Sequence, residues 1–427
     1  MTNKILEIGG VPCTNLVKAC GTPLYVYDET KLINQFDLYH SYFKSKAFTT
    51  EVIYASKAFS CIEMVKLVKQ CHASLDVVSG GELQTAKLCN MDMNNVYFHG
   101  NNKTEEELAM AFEYSCNIVM DNVMECQRIV SIANKLKKHI NLLLRVNPGV
   151  EAHTHEYIVT AKLDSKFGIS ITRDAQLAEI MNLVKSSEYT NFIGFHSHIG
   201  SQIFDTEAFK VAIETLVNFT NKMSKAYSIN LPVLNIGGGF GVRYTDEDKP
   251  LAVKDMCSVL ISTLEKELAK NPTTIKKVMI EPGRSIVGEA GYTLYSVGFQ
   301  KETVNKKYIF VDGGMNDNIR VALYQAKYDC KVANKMDLPA TQTVSVAGKC
   351  CESGDILVEG IKLPEVVEGD ILAFYTTGAY GYSMASNYNR LNKPAVVFAK
   401  DGKARIVVKR ESIQDQLSND INEEIAF

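Results

Sequence analysis

Short runs of β-branched and apolar residues recur through the first two thirds of the chain, each separated from the next by an amphipathic stretch of roughly 10 to 20 residues. The runs predict strands over Glu51 to Lys57, Ser74 to Ser79, Val96 to Gly100, Asn117 to Asp121, His139 to Asn147, Phe192 to His198, Val233 to Gly237 and Lys277 to Glu281. The intervening segments, CIEMVKLVKQC and NVMECQRIVSIANKLKK among them, repeat apolar residues at helical spacing, which reads as helices with one face in the core and one in solvent. About eight strand-helix units is the number at which a parallel sheet closes into a barrel, and an open Rossmann-type sheet fits that count less well.

Polar residues fall where such a barrel would use them. Nearly every predicted strand ends in a group able to do chemistry: Lys57, Asp76, His99, Asp121, Arg145 with Asn147, His196 with His198, glycines 237 to 239, and Glu281 with Arg284. In a (β/α)8 barrel the C-terminal strand ends and the loops after them build one mouth, so these groups are expected to gather there.

The texture changes after about residue 290 to alternating strands with turn signals, as in YTLYSVGF, YIFVDGG, QTVSVAG, ILAFYTTG and PAVVFAKDGKARIVV. The predicted fold is therefore α/β: a TIM-like (β/α)8 barrel over residues 29–288, plus a mostly antiparallel, sandwich- or barrel-like β domain from residues 1–28 and 289–427. The N-terminal LYVYD is expected to join a sheet of that second domain. The final LSNDINEEIAF reads as an acidic tail.

Composition narrows the function classes. With 46% hydrophobic and 22% charged residues the chain reads as globular, and a net charge of -3 offers no field for nucleic acid or an anionic membrane. No apolar run approaches the roughly 18 residues of a membrane span, and the N-terminus has no signal-peptide pattern, so a cytoplasmic location is expected. The 11 cysteines are scattered without a CxxC pair, which argues against a disulfide framework or structural zinc.

Several motifs carry chemistry. Taken alone, the lysine of VIYASKAF is a solvated strand end; at a barrel mouth and buried, its amine is the nucleophile that an aldehyde cofactor needs. GGGFG, Gly237 to Gly241, is either a tight turn or an anion cradle, and the end of the seventh barrel strand, where it lies, is where phosphate sites are commonly built. Ser201 in HIGSQ would add a hydroxyl. EPGRS sets Glu281 and Arg284 together, either as an internal salt bridge or with Glu281 facing a pyridine nitrogen, where a carboxylate favours the protonated ring and a strong electron sink. His198 would lie against that ring. The pairs His153/His155 and His196/His198 also admit a metal, but hydrolases on this barrel usually carry HxH near the first strand, where this chain has lysine. In KCCESGD a thiol stands beside a carboxylate, a plausible proton donor.

Assembled in order, GTPLYVYDE, YASKAF, DVVSGGEL, FHGNNK, RVNPGVEAHTHEYIVTAKLDSKFGI, HSHIGSQI, GGGFG, EPGRSIV, MNDNIRVALY, CESGDIL and GAYGYSMASNYN span nearly the whole chain. The ordered set resembles the pyridoxal-phosphate (PLP) dependent decarboxylases of the alanine-racemase-like barrel fold, fold type III, and most closely the branch acting on meso-2,6-diaminopimelate. The resemblance implies that Lys57 is the Schiff-base lysine, His198 the ring-stacking residue, Gly237, Gly238 and Gly239 with Ser201 the phosphate cradle, and Glu281 the pyridinium partner. Asp76 and Gly283 would belong to the same cofactor site. Arg284, Arg320 and Tyr324 would hold a distal carboxylate, Arg284 beside the phosphate as well; Glu352 would pair with the distal ammonium, and Tyr380 would touch phosphate and substrate. Cys351, which directly precedes Glu-Ser-Gly-Asp, would be the proton donor; Cys350 stands where an apolar residue is usual, and Ala161-Lys162 where glycine is common after YIVT.

The resemblance also implies a homodimer in which the Cys-Glu segment reaches into the neighbour's barrel mouth. An arginine would repel the purely cationic tail of ornithine or arginine, whereas arginine, tyrosine and glutamate together match an ammonium and a carboxylate. The expected reaction is decarboxylation of meso-2,6-diaminopimelate to L-lysine, the last step of lysine synthesis by that route. A decarboxylase of another basic amino acid or of carboxynorspermidine is the alternative on the same fold.

Overall fold

The computed structural model describes residues 4–150 and 165–425; His153, His155 and Ala161-Lys162 lie outside the described residues. The chain divides into two compact units, one of residues 34–242 with 249–286, the other of residues 1–33, 243–248 and 287–427. The inclusion of 243–248 in the second unit has no signature in the hydrophobic pattern.

In the first unit eight strands form a closed parallel sheet: β1 (Thr49–Ala55), β2 (Ser74–Val77), β3 (Val96–Phe98), β4 (Asn117–Met120), β5 (Ile140–Asn147), β6 (Thr190–His196), β7 (Val233–Asn235) and β8 (Lys277–Ile280). Each pairs with the next, and β8 returns to β1 from Lys277↔Thr49 to Ile280↔Val52, so no edge is left open. Ile53, Tyr97, Val119, Leu143, Val233 and Met279, one from each of six strands, pack as a core cluster with Ile193 of β6 against it. Three of the helices between strands begin where their sequences supply caps: Ser79 accepts from the Glu82 amide before Gly80–Leu88, Thr104 and Glu107 form a capping box on Glu105–Tyr114, and Asn122 caps Val123–Leu136. No helix among the described residues is long and apolar enough to cross a membrane.

The strands stop earlier than the apolar runs predict. β1 ends at Ala55, β3 at Phe98, β6 at His196, β7 at Asn235 and β8 at Ile280, so Lys57, His99, His198, the glycines and Glu281 sit just beyond the ladder. Lys57 lies on a one-turn 3-10 helix, Ser56–Ala58, and is exposed, contrary to the burial expected of it. The buried Tyr54 hydroxyl donates to the Phe59 carbonyl at 2.8 Å and closes the chain into this turn, which lifts the lysine off the strand.

The second unit contains β9 (Gly291–Glu302), β10 (Lys307–Val311), β11 (Cys330–Val332), β12 (Gln342–Ala347), β13 (Ile356–Leu363), β14 (Ile371–Phe374), β15 (Ala395–Lys400) and β16 (Lys403–Val408). The sheet runs β13-β12-β10-β9, then the N-terminal strand Leu24–Asp28, then β15-β16, with β14 joining β9 to β11. LYVYD is thus internal to the sheet. Pairing is antiparallel except for β10 with β12 and Leu24–Asp28 with β15. β13 was not expected, because Glu359, Gly360 and Lys362 interrupt its apolar alternation. Leu24, Val26, Tyr292, Leu294, Ala373, Val397 and their neighbours form the core of this unit.

Candidate active site

Glu281 is the hub of the barrel mouth. It is 7% exposed and takes contacts from the ends of three other strands: His196 Nε2 lies 3.0 Å from its Oε2, while Asn235 Nδ2 at 2.7 Å and His99 Nε2 at 3.0 Å face its Oε1. Burial alone would raise its pKa, but the two imidazoles facing it and their hydrogen bonds hold it well below the usual carboxylate range. His196 is moved the other way, burial pushing its pKa down to about 4, so it is neutral near pH 7 and donates to Glu281 through Nε2. Its Nδ1 is buried without a hydrogen-bond partner, as suits the unprotonated nitrogen of that tautomer. The His99 and His196 rings meet edge to face at 4.7 Å. Asp76, 1% exposed, has Oδ1 3.9 Å from His99 Nε2; its burial raises its pKa, opposed by His99 and by the charge of Lys57. His99, His196 and Glu281 are also the described residues whose donor atoms, all within 4.8 Å, lie close enough to hold a metal ion.

Beside this hub lies the glycine turn. Asn235 Oδ1 accepts from the Gly237 amide at 2.9 Å, which links the carboxylate's support to the turn. A Cβ on Gly237 would stand 2.3 Å from the Ser197 carbonyl oxygen, on Gly238 2.0 Å from that of Glu281, and on Gly239 2.3 Å from that of Gly200. Only glycine permits this approach. The Gly238 amide donates to His198 Nδ1 at 3.3 Å, and His198, half-buried, is held well below the usual imidazole range by desolvation and by the charges of Lys57 and Arg145. Arg284 donates to Ser201 Oγ at 3.1 Å, placing a guanidinium and a hydroxyl together. Gly283 packs the end of β8 on Ala55 at the end of β1, where a Cβ would come within 2.9 Å of that methyl group.

The barrel unit therefore brings together Lys57, Asp76, His198, Ser201, Gly237, Gly238, Gly239, Glu281, Gly283 and Arg284. Arg320, Tyr324, Cys351, Glu352 and Tyr380 belong to the other unit. There Arg320 is 7% exposed, donates to the Tyr328 hydroxyl and lies 4.9 Å from the Tyr244 ring centroid. Tyr324, four residues on, is 61% exposed. Of the two adjacent thiols, Cys350 is buried and donates to Asn316 Oδ1 at 3.5 Å, while Cys351 is exposed, as is Glu352. Tyr380 is half-buried with a left-handed backbone, φ 58°.

Sequence reasoning placed His99 and His196 at the barrel mouth, the latter with His198 as a metal pair set aside, and did not single out Asn235, Tyr244 or Tyr328. Asn235 had a signal, a lone amide in the apolar run VLNI two residues before the first glycine; the tyrosines had none.

Residues 29–288 match the model of the pyridoxal-dependent decarboxylases, pyridoxal binding domain, and the chain belongs to this family. Relatives within it include the diaminopimelate decarboxylases of Bacillus subtilis (strain 168), 48% identical over 97% of this chain and 95% of the relative, and of Staphylococcus aureus (strain COL), 44% identical over 98% of each. Among solved structures, diaminopimelate decarboxylase of M. jannaschii in co-complex with L-lysine matches with a TM-score of 0.92 at 33% identity, covering 99% of this chain and 98% of that one.

Proposed function

We propose that this chain is a PLP-dependent carboxy-lyase that converts meso-2,6-diaminopimelate to L-lysine and carbon dioxide, the last step of lysine biosynthesis by that route. The observation that carries the reading is Glu281, a carboxylate kept ionised by residues of three other strands beside a turn that only glycines can make. These residues fit the cofactor: the amides of Gly237 to Gly239, with Ser201 and Arg284, suit a phosphate; Glu281 suits a ring nitrogen; Lys57 supplies the amine that carries the aldehyde. When bound, PLP is an electron sink for the bond to the departing carboxylate.

The chain's own residues do the rest. Glu281, held ionised, would favour the protonated form of the ring nitrogen, and Asp76 would belong to the same cofactor site. His198, held below the usual imidazole range, would stack on the ring as a neutral group. Arg320 and Tyr324, with Arg284, hold the distal carboxylate, Glu352 the distal ammonium, and Tyr380 contacts phosphate and substrate. Cys351 gives its proton to the carbon that has lost carbon dioxide at the D centre. The protein acts as a homodimer with sites shared between copies, which accounts for the exposure of Cys351 and Glu352 on a single chain. It works in the cytoplasm, a reading supported by eleven free cysteines.

The test is incubation of the PLP-loaded protein with meso-diaminopimelate, ornithine, arginine, lysine and carboxynorspermidine in separate arms. Carbon dioxide and L-lysine are expected from the first alone. Release from ornithine but not diaminopimelate overturns the substrate, and borohydride reduction that leaves Lys57 unmodified by mass spectrometry overturns the cofactor linkage.

A further inference from the structure

Two segments distant in sequence, KCCESGD and SNYN, meet in the second unit. Asn389 Oδ1 accepts the Cys351 backbone N–H at 2.7 Å, and the Tyr388 hydroxyl donates to Glu352 Oε2 at 3.5 Å. The same loop is anchored from its inner side: the buried Asp355 carboxylate accepts from the amides of Cys350 at 2.8 Å and Met315 at 2.7 Å. Within the loop the Glu352 amide donates to the Cys350 carbonyl at 2.8 Å and the Asp355 amide to that of Glu352 at 3.1 Å. The backbone leading into Cys351 is therefore held twice, by Asp355 at the Cys350 amide and by Asn389 at the Cys351 amide.

The outer anchor is itself fixed. Asn389 adopts φ 54°, a left-handed conformation that asparagine tolerates better than most residues. Two residues earlier, Asn387 Nδ2 donates to Glu411 Oε2 at 2.5 Å and to the Leu391 carbonyl at 3.1 Å, which ties SNYN to the chain beyond it. An exposed hydrogen bond between two loops contributes little to stability. Its effect here is on direction, because with the peptide held, the Cys351 thiol can be swung only about its own side-chain torsion.

We infer that Asn389 is a positioning residue for the Cys351 thiol, with Tyr388 serving the Glu352 carboxylate in the same way. The inference rests on the reading of Cys351 as proton donor. In that step the Cys351 S–H bond breaks, a C–H bond forms at the carbon that lost carbon dioxide, and the thiolate is reprotonated from water. Proton delivery is steep in geometry, and a misplacement of about 1 Å costs roughly 100-fold.

The test uses the PLP-loaded full chain carrying Asn389→Gly, which keeps the left-handed backbone and loses the acceptor, or Asn389→Asp, which keeps both. Cys351→Ala is the reference. N389G is expected to lower kcat roughly 10- to 100-fold with KM within about threefold. It is also expected to form less than one lysine per carbon dioxide released, and to change the rate of Cys351 alkylation by iodoacetamide, mapped by mass spectrometry. N389D restores all three. A folded N389G with wild-type alkylation and product ratio overturns the inference. Should N389G fail to fold, N389D decides: near-normal kcat and product ratio support it, and a loss as large as that of C351A overturns it. A C351A protein that still makes lysine removes the donor reading, while the alkylation rates still decide whether Asn389 places residue 351.

Discussion

The two groups of candidate residues are built in opposite ways. At the barrel mouth Glu281 is held by His99, His196 and Asn235, each at or just past the end of a different strand of a closed sheet, so its position is set by the register of the whole barrel. In the second unit Cys351, Glu352 and Tyr324 are exposed on loops or a five-residue helix, and only Arg320 is enclosed, between two tyrosines. Groups that would serve the cofactor are preorganised within one unit, whereas groups proposed to meet the substrate lie on segments outside the strands.

Substitutions can break or sharpen that contrast. The largest effect is expected for Lys57→Ala: kcat falls by at least about 10^4-fold, while the melting temperature of this exposed position moves by no more than about 2 °C. Spectral titration with PLP and a thermal melt check both halves. Glu281→Gln keeps shape and loses charge, so kcat should drop roughly 1000-fold in steady-state kinetics; a variant retaining a tenth of wild-type kcat would place the key electrostatics elsewhere. For Arg320→Met a roughly 100-fold loss in kcat/KM is expected, carried mainly by KM for meso-diaminopimelate. An unchanged KM would mean that Tyr244 and Tyr328 enclose Arg320 for packing alone.

The smallest effect is a pH dependence of the cofactor-free protein. His196 moves from the ordinary imidazole value of 6.5 to about 4 on folding, so as pH falls below 6.5 the unfolded chain takes up a proton that the folded one refuses. Stability is therefore full above that range and is lost toward acid, by about 2 kcal/mol at pH 5. Glu281 acts with the same sign, its depressed folded value giving stability that disappears only at lower pH. Urea unfolding at pH 7.5 and 5.0 measures the difference, and His196→Asn should reduce it by about that amount, leaving the share of His198, which acts with the same sign.

The barrel and its mouth were legible because short apolar runs alternating with stretches of period 3.6 are a local signal, and because strand-end residues gather at one end of a barrel whatever lies between them. What escaped was the wiring. His99, Asn235 and Glu281 are far apart in sequence, and nothing local in FHG or VLNI says that both side chains converge on one carboxylate. Strand ends were overshot by a residue or two because the ladder stops before the polar residues that end each run, as after Ala55, where the Tyr54 hydroxyl closes the chain into a turn. β13 escaped for another reason, since its polar positions are exposed and its pairing with β12 shifts register twice. Arg320 was found, but its tyrosine flanks were not, because aromatic residues signal only burial.

The strand Leu24–Asp28 lies between β9 and β15 in its sheet. On the ribosome, residues 24–28 emerge before all eight barrel strands, yet their partner 395–399 emerges after them. Synthesis thus imposes an order of assembly, and a message stalled between the two yields a chain in which this strand is left with an unpaired edge, open to aggregation.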